Sequence, residues 1–362
     1  MSGNRGTYRR IINGLKQLYP KQMTGRQVRH LTTLAAMLCG IVLSQQSHLE
    51  KIARKVPEKN QVESRVKRFT RFNQNESVTI ETFYLPFIEL LVASLASAGV
   101  VTVVMDASQT GRGCMTLMVS ILYRKRAIPL VWQTVRGKRG HLPEATHIAL
   151  LERVKGLFPP ACTVVFLGDG EFDGIGLLAA IDDCGWEYVC RTACNRILVD
   201  GEDEFALNQL AVARGDCLDI TDIGFTRANF QNTTVIAWWH KAYDAPLYLV
   251  TNMECVGEAC DWYRRRFRIE TFFSDQKSRG FNLQKSHLSD PERIARFLIA
   301  SCLAYVWMLY LGVQLERDKH AFRIVHRTDR CDLSLFQLGL RFLEHLFTQG
   351  EPIPFGLVLP PA

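Results

Sequence analysis

Hydrophobic and polar positions change their period along this chain. From residue 1 to about 97 the apolar residues recur at helical spacing. "RQVRHLTTLAAMLCGIVLSQQ" is one such run, and "QSHLEKIARKV" is a second, which Pro57 stops. "QVESRVKRFTRFNQN" and "TIETFYLPFIELLVASLASAG" each predict a further helix, the last ending at Gly99. After that, short β-branched runs replace the helical spacing. "VVTVVMD" (100–106), "CMTLMVSILY" (114–123) and "IPLVWQTV" (128–135) predict three strands joined by tight turns, and so antiparallel hairpins.

The period then alternates. "PEATHIALLERVKGLF" predicts a helix with Pro143 and Glu144 at its start. "CTVVFLGD" (162–169) predicts a fourth strand, "GIGLLAAIDDCG" a helix, and "EYVCRT" a fifth strand. Three strands, a helix, a strand, a helix and a strand is the order of a ribonuclease-H-like α/β fold. Residues 195–252 are irregular and strand-like, with "NTTVIAWWHKA" and "APLYLVTN" as the clearest strands. They read as a β-rich insertion. The expected division is a helical region at 1–97, the first part of the core at 98–194, and the insertion at 195–252. The second part of the core follows at 253–315 and a helical C-terminal tail at 316–362. "FLIASCLAYVWMLYLGV" (297–313) is 17 uncharged residues, close to the lower limit for a membrane span. It stands alone and contains Ser301, Cys302 and Gly312, so a buried core helix and no membrane partner are expected.

Charge changes the picture at the N-terminal end. The chain carries a net charge of +8, yet residues 1–80 hold 15 Lys+Arg against 4 Asp+Glu, or +11, which leaves −3 for the remainder. A basic end on a chain that is 47% hydrophobic suits a folded protein with a polyanionic partner. Short basic helices in succession suit a helical DNA-binding region, with Arg65 and Arg68 interleaved with Phe69 and Phe72 as candidate contacts. The cysteine count of 11 is odd, no secretory leader precedes it, and no CxxC pair is present. A reduced, cytoplasmic setting is expected, and a zinc site is not.

Candidate chemistry sits where strands end in acids. Asp106 follows "VVTVVM" and Asp169 follows "TVVFLG". A carboxylate at the end of a buried strand is costly without a partner or a metal. The first and fourth strands are neighbours in the expected fold, so the two acids converge and offer hard oxygen ligands of the kind Mg²⁺ accepts. Asp173 competes for the second position but lies four residues beyond the strand. Further on, "DWYRRRFRIETFFSDQK" holds Tyr263, Arg266, Glu270 and Lys277 at steps of 3, 4 and 7. On one α-helix those steps return to one face. Phe267, Phe272 and Phe273 then point elsewhere and pack the helix onto the sheet. A lone Arg266–Glu270 pair would be worth only about 0.3–0.5 kcal/mol, and it would leave Tyr263 and Lys277 unexplained.

Tyr-x2-Arg-x3-Glu-x6-Lys, preceded by two strand-end aspartates, resembles the signature of the DDE transposases of bacterial insertion sequences, in the insertion-sequence-four family. "VVMDAS" and "FLGDGEFD" resemble that family's aspartate boxes, "LYLVTN" the strand closing its insertion, and "RTDRCDLSLFQLGLRFL" its C-terminal region. The resemblance covers about residues 60–345. It implies that Asp106, Asp169 and Glu270 are catalytic and hold two divalent ions, Mg²⁺ or substituting Mn²⁺, for phosphodiester cleavage and strand transfer. It implies that Tyr263, Arg266 and Lys277 grip DNA phosphates. Partners would be double-stranded DNA, as terminal inverted repeats and target, and a second copy of the chain in the DNA complex. Location would be the bacterial cytoplasm, at the nucleoid. Members with a β-insertion cut the second strand through a hairpin with a base flipped against an aromatic ring. Trp238 and Trp239 are candidates for that stacking, and a one-residue step on a strand allows at most one of them. Two departures stand out: Phe267 where Trp is common, and Gly170 where Arg is common. Basic residues at strand turns (Arg112, Arg124, Lys125, Arg126, Arg136, Lys138, Arg139) suit either a DNA groove or solvated hairpin tips. Two other readings remain open: a catalytically inactive, transposase-derived DNA-binding protein, and a nuclease of this fold that does not join strands.

Overall fold

The computed structural model describes residues 2–20, 22–137, 142–326 and 331–361. The N-terminal part is helical, as the apolar spacing predicts: α1 (Ser2–Leu18), α2 (Gly25–Ser44), α3 (Leu49–Lys55), α4 (Val62–Gln74), α5 (Ile80–Phe83) and α6 (Leu85–Ala96). Thr24 starts α2 with a capping box to Gln27, which satisfies amides that the first helical turn leaves open. The helix stops observed here are Gln45, left-handed at φ 51°, and the extended Val56 before Pro57.

The strands follow: β1 (Val100–Gly111), β2 (Cys114–Tyr123), β3 (Arg126–Arg136), β4 (Thr163–Gly168) and β5 (Glu187–Thr192). Helix α7 (Glu144–Val154) precedes β4, and α8 (Ile175–Asp183) lies between β4 and β5. β1, β2 and β3 pair antiparallel, whereas β1, β4 and β5 pair parallel. The chain is therefore mixed α/β, built on a large mixed sheet with helices.

Residues 195–252 divide between two sheets. Strands β6 (Ile197–Asp200), β7 (Asp203–Ala206) and β9 (Gly224–Phe225) form a small separate sheet. By contrast, β8 (Cys217–Ile220), β10 (Thr234–Trp238) and β11 (Leu247–Thr251) extend the main sheet, whose order is β3-β2-β1-β4-β5-β11-β10-β8. β11 joins through an antiparallel ladder to β5, with Val250 opposite Cys190. An insertion expected as a unit of its own thus contributes half of its strands to the main sheet.

The sequence "DWYRRRFRIETFFSDQK" is not one helix. It forms α9 (Val256–Tyr263) and α10 (Arg268–Gln276), with a tighter turn between them. There the amides of Arg265, Arg266, Arg268, Ile269 and Glu270 each reach back three residues rather than four. Three-residue winding rotates the chain relative to an α-helix, so spacing counted at 3.6 residues per turn does not carry across. Phe272 and Phe273 are buried as expected, but Phe267, in the turn, is 48% exposed and does not pack the helix down.

The apolar 297–313 run lies in α11 (Pro291–Arg317), which is buried nearly all round. α2 and α11 are long and apolar enough to cross a membrane by length and composition, but most of each apolar stretch is buried inside the fold. α11 packs on α2, β3 and α13 (Leu335–Gln349), and α12 (Lys319–Val325) links it to α13.

Candidate active site

Strand register builds the centre of the site. β1 and β4 pair in parallel up to Val104 opposite Leu167. Two residues on, along both strands, stand Asp106 and Asp169, so the register sets them side by side where β4 ends. Asp106 does not end its own strand, because β1 continues to Gly111 with Asp106 opposite Met118 of β2. Burial, and then the Asp169 carboxylate, push the Asp106 carboxyl up to about 6, and Glu270 adds to the push. The Ala107 amide, 2.7 Å from Asp106 Oδ1, and the Arg266 guanidinium pull the other way.

Arg266 is the hub. It is 7% exposed, and its guanidinium stands 3.8 Å from Asp169 Oδ2 and 3.6 Å from Glu270 Oε1. Its Nε has no hydrogen-bond partner. Tyr263 is buried behind it. Burial raises the phenol to about 12 against the pull of Arg266 and Arg191. Lys277 caps α10 and donates from Nζ to Ser108 Oγ at 2.6 Å. Burial lowers the Lys277 ammonium and the nearby Asp106 carboxylate raises it. The four signature residues therefore do gather around the two aspartates, although no single helix face aligns them.

Glu270 departs from the expectation of three converging acids. Its side chain is 58% exposed and turned to Arg266. Among the described residues no three His, Cys, Asp or Glu side chains lie close enough together to hold a metal ion. The donor chemistry nonetheless suits a hard divalent cation: a half-buried carboxyl disfavoured as an anion, beside a second carboxylate. Asp173 is excluded as the second acid. It is buried, accepts from Thr192 Oγ1 at 2.6 Å, and pairs with Arg196.

A cleft of about 730 Å³ opens beside Asp169, lined by Arg266, Arg191, Asn208 and Tyr248 among others. Gly170 also lines it, and a side chain at Gly170 would meet open space. Sequence reasoning missed Ser108 and Arg191. Ser108 was legible, because it lies two residues beyond Asp106 on a strand and so shares its face. Arg191 was marked only by being the one charge inside "YVCRT".

Several expected DNA contacts are engaged inside the protein. Arg65 is 8% exposed and donates to the Val56 carbonyl at the end of α3, which also accepts from the Glu58 amide. Arg68 pairs with Glu58 at 2.9 Å, and Glu58 also accepts from Tyr8 at 2.7 Å. Arg65 is thus taken up inside the fold and Arg68, partly exposed, is shared with Glu58, while Lys67 and Arg71 form the exposed basic face of α4. Trp238 is 5% exposed, with Arg264 5.0 Å over its ring, which leaves half-buried Trp239 as the more accessible of the pair. Trp239 Nε1 donates to the Tyr243 carbonyl. Of the basic residues at strand turns, Arg124 pairs with Glu316 and Arg126 with Asp275, while Lys138 and Arg139 lie outside the described residues.

Residues 102–307 match the family described as "Transposase DDE domain". The match spans more than half of the chain, and the chain belongs to that family of transposases. Among solved structures, the piggyBac transposase in a synaptic complex with hairpin DNA aligns over 96% of this chain and 78% of its own, at 10% identity and a TM-score of 0.47. Human ENDOV aligns over 65% of this chain and 94% of its own, at 14% identity and a TM-score of 0.27. No curated relative matches the chain. The family assignment rests on the sequence match.

Proposed function

We propose that the chain is an insertion-sequence transposase of the insertion-sequence-four type, which cuts DNA at transposon ends and joins the ends to a target. The observation that carries this reading is the β1–β4 register, which sets Asp106 beside Asp169, with Arg266 between Asp169 and Glu270. The strand order β3-β2-β1-β4-β5, with β1, β4 and β5 parallel, supports a ribonuclease-H-like core.

Asp106, Asp169 and Glu270 are the residues that would hold divalent metal, Mg²⁺ or Mn²⁺. Bound there, the metal would supply charge stabilisation and a nucleophilic oxygen for phosphodiester exchange. The remaining chemistry belongs to the chain. Arg266 is largely buried yet lines the cleft, and its carboxylate partners stand 3.8 and 3.6 Å away, so it can offer its planar fork to a phosphate there. Tyr263 supports it from behind. Lys277 keeps positive charge beside Asp106, which favours the ionised carboxylate. The cleft beside Asp169 provides the surface for the cleaved strand, with Arg191 as a second cation. Cleavage through a DNA hairpin, and a dimer that pairs two ends, belong to the same reading.

A DNA-binding descendant without catalysis is the alternative, and the exposure of Glu270 favours it. One assay decides. DNA carrying the element's terminal repeats is incubated with the protein in Mg²⁺ or in EDTA, and a pre-cut end is offered a target plasmid. Metal-dependent nicking and joining are expected. Binding without nicking would leave the inactive reading, and nicking without joining would leave a nuclease.

A further inference from the structure

Two thiols meet where the extended sheet touches the helix that leads into the site. Cys217 opens β8, the last strand of the main sheet, and Cys260 lies in α9, one turn before Tyr263. Their Sγ atoms are 4.0 Å apart although 43 residues separate them in sequence. Cys217 and Cys260 are free thiols, like the other cysteines among the described residues, and their sulfurs are in contact. Cys217 is exposed and Cys260 is buried behind it. Cys217 is also the strand partner of Trp238, over whose ring Arg264 sits. The pair thus links the sheet edge, the insertion tryptophan and the start of the arginine-rich turn.

We propose that Cys217 and Cys260 are an oxidative modification site, forming a reversible disulfide that staples β8 to α9. The reaction needs a small-molecule disulfide of the oxidised-glutathione class. The Cys217 thiolate attacks one sulfur of that molecule, forms a mixed disulfide and expels the first small thiol. The Cys260 thiolate then attacks Cys217 Sγ and expels the second. The two protein thiols are oxidised, one external disulfide is reduced, and the two protons leave on the expelled thiols. The sulfurs must approach by about 2 Å to reach bonding distance, a shift within reach of side-chain rotation at an exposed edge. Burial raises both thiols; at Cys217 the hydrogen bond to Cys260 pulls back down and Asp219 adds to the rise, while Cys217 helps push Cys260 to about 12. At Cys260, Asp261 also raises and Arg264 lowers. The bond therefore forms slowly at neutral pH and faster as pH rises. Once formed, it fixes the sheet edge against α9 and slows DNA cleavage by restraining the turn that follows α9 and carries Arg266. That last consequence rests on the transposase reading, whereas the bond itself does not.

The full chain is treated with oxidised glutathione, alkylated, digested and mapped without reduction. A peptide pair holding residues 217 and 260, lighter by two hydrogens and released by reductant, is expected. It is absent from Cys217→Ser, which still cleaves DNA and is insensitive to the oxidant. Glutathione trapped on Cys217 alone, or a bond to another cysteine, overturns the site. A mapped bond with unchanged cleavage overturns the regulatory consequence. A mapped bond in a protein that never cleaves DNA leaves the site standing and removes the transposase reading.

Discussion

The two aspartates and the four signature residues reach the same place by different means. Asp106 is held in the β1–β2 ladder, and Asp169 directly follows β4, both two residues beyond the last β1–β4 pair. Tyr263, Arg266, Glu270 and Lys277 come from a segment that ends one helix, tightens, and starts another. The first arrangement is rigid and fixes two carboxylates close enough to raise one of them. The second delivers one buried cation, one exposed acid and one amine held by Ser108. Sheet register places the acids; the turn decides what meets them.

The largest test removes the exposed acid. Glu270→Gln is expected to lower nicking of terminal-repeat DNA by roughly a thousandfold, while end binding in a gel-shift assay stays largely intact. A variant that also lost end binding would show that Glu270 acts by holding Arg266, and the turn would then be scaffold rather than chemistry.

Next comes a contrast within the arginines. Arg65→Ala removes a buried side chain and its charged hydrogen bond to the Val56 carbonyl, which keeps only the Glu58 amide. A loss of about 2 kcal/mol in denaturant unfolding is expected, with no change in the salt dependence of DNA binding. A reduced salt slope with unchanged stability would restore Arg65 as a phosphate contact.

A smaller effect of opposite sign is expected at Asp106. Its carboxyl sits at about 6 in the fold, against about 3.9 for a free aspartate. A raised value means that the folded state holds the proton more tightly. The penalty is absent below about pH 4, grows between the two values and is complete above about pH 6. Asp106→Asn should therefore raise stability at pH 7 without divalent metal by about 1–2 kcal/mol, while abolishing cleavage. The gain should vanish at pH 3.5, below both values. A variant less stable than the parent at pH 7 would mean that the carboxylate is already compensated.

What the sequence made legible follows the same division. β-branched runs and period-two alternation marked β1, β2, β4 and β5 and brought Asp106 to Asp169, because strand geometry depends on neighbours two residues apart. Alternation also held the clue to Ser108. The arginines of α4 resisted reading, because spacing shows a basic helix but not that Arg65 finds a helix-end carbonyl or that Arg68 finds Glu58. The two-helix form of the signature was hidden for a different reason. In the 264–267 segment, wound at three residues per turn, each arginine meets a different partner: Arg264 Asp261, Arg265 the Trp262 ring and Arg266 Asp169. The first two are local pairs three residues apart, whereas Arg266 reaches a strand end nearly a hundred residues earlier, of which periodicity carries no trace. The burial of Trp238 was hidden similarly, since His240, Tyr243 and Arg264 all lie against its ring.

The smallest expected effect separates two roles of Lys277. Its amine touches Ser108 and stands near Asp106, so without DNA it serves the aspartates rather than a phosphate. If DNA draws it away, Lys277→Ala lowers the salt slope of end binding by roughly 0.9, the share of one phosphate contact. We expect that decrease. If the amine instead stays on Ser108, the slope is unchanged. The substitution then acts through Asp106, which loses a favourable positive charge and protonates more readily. In that case the acid limb of the cleavage pH profile moves to higher pH while the affinity for ends holds. The two measurements answer to different atoms, the phosphate oxygen and the Asp106 carboxylate. Together they determine whether the last residue of the signature belongs with the DNA or with the strand-borne acids.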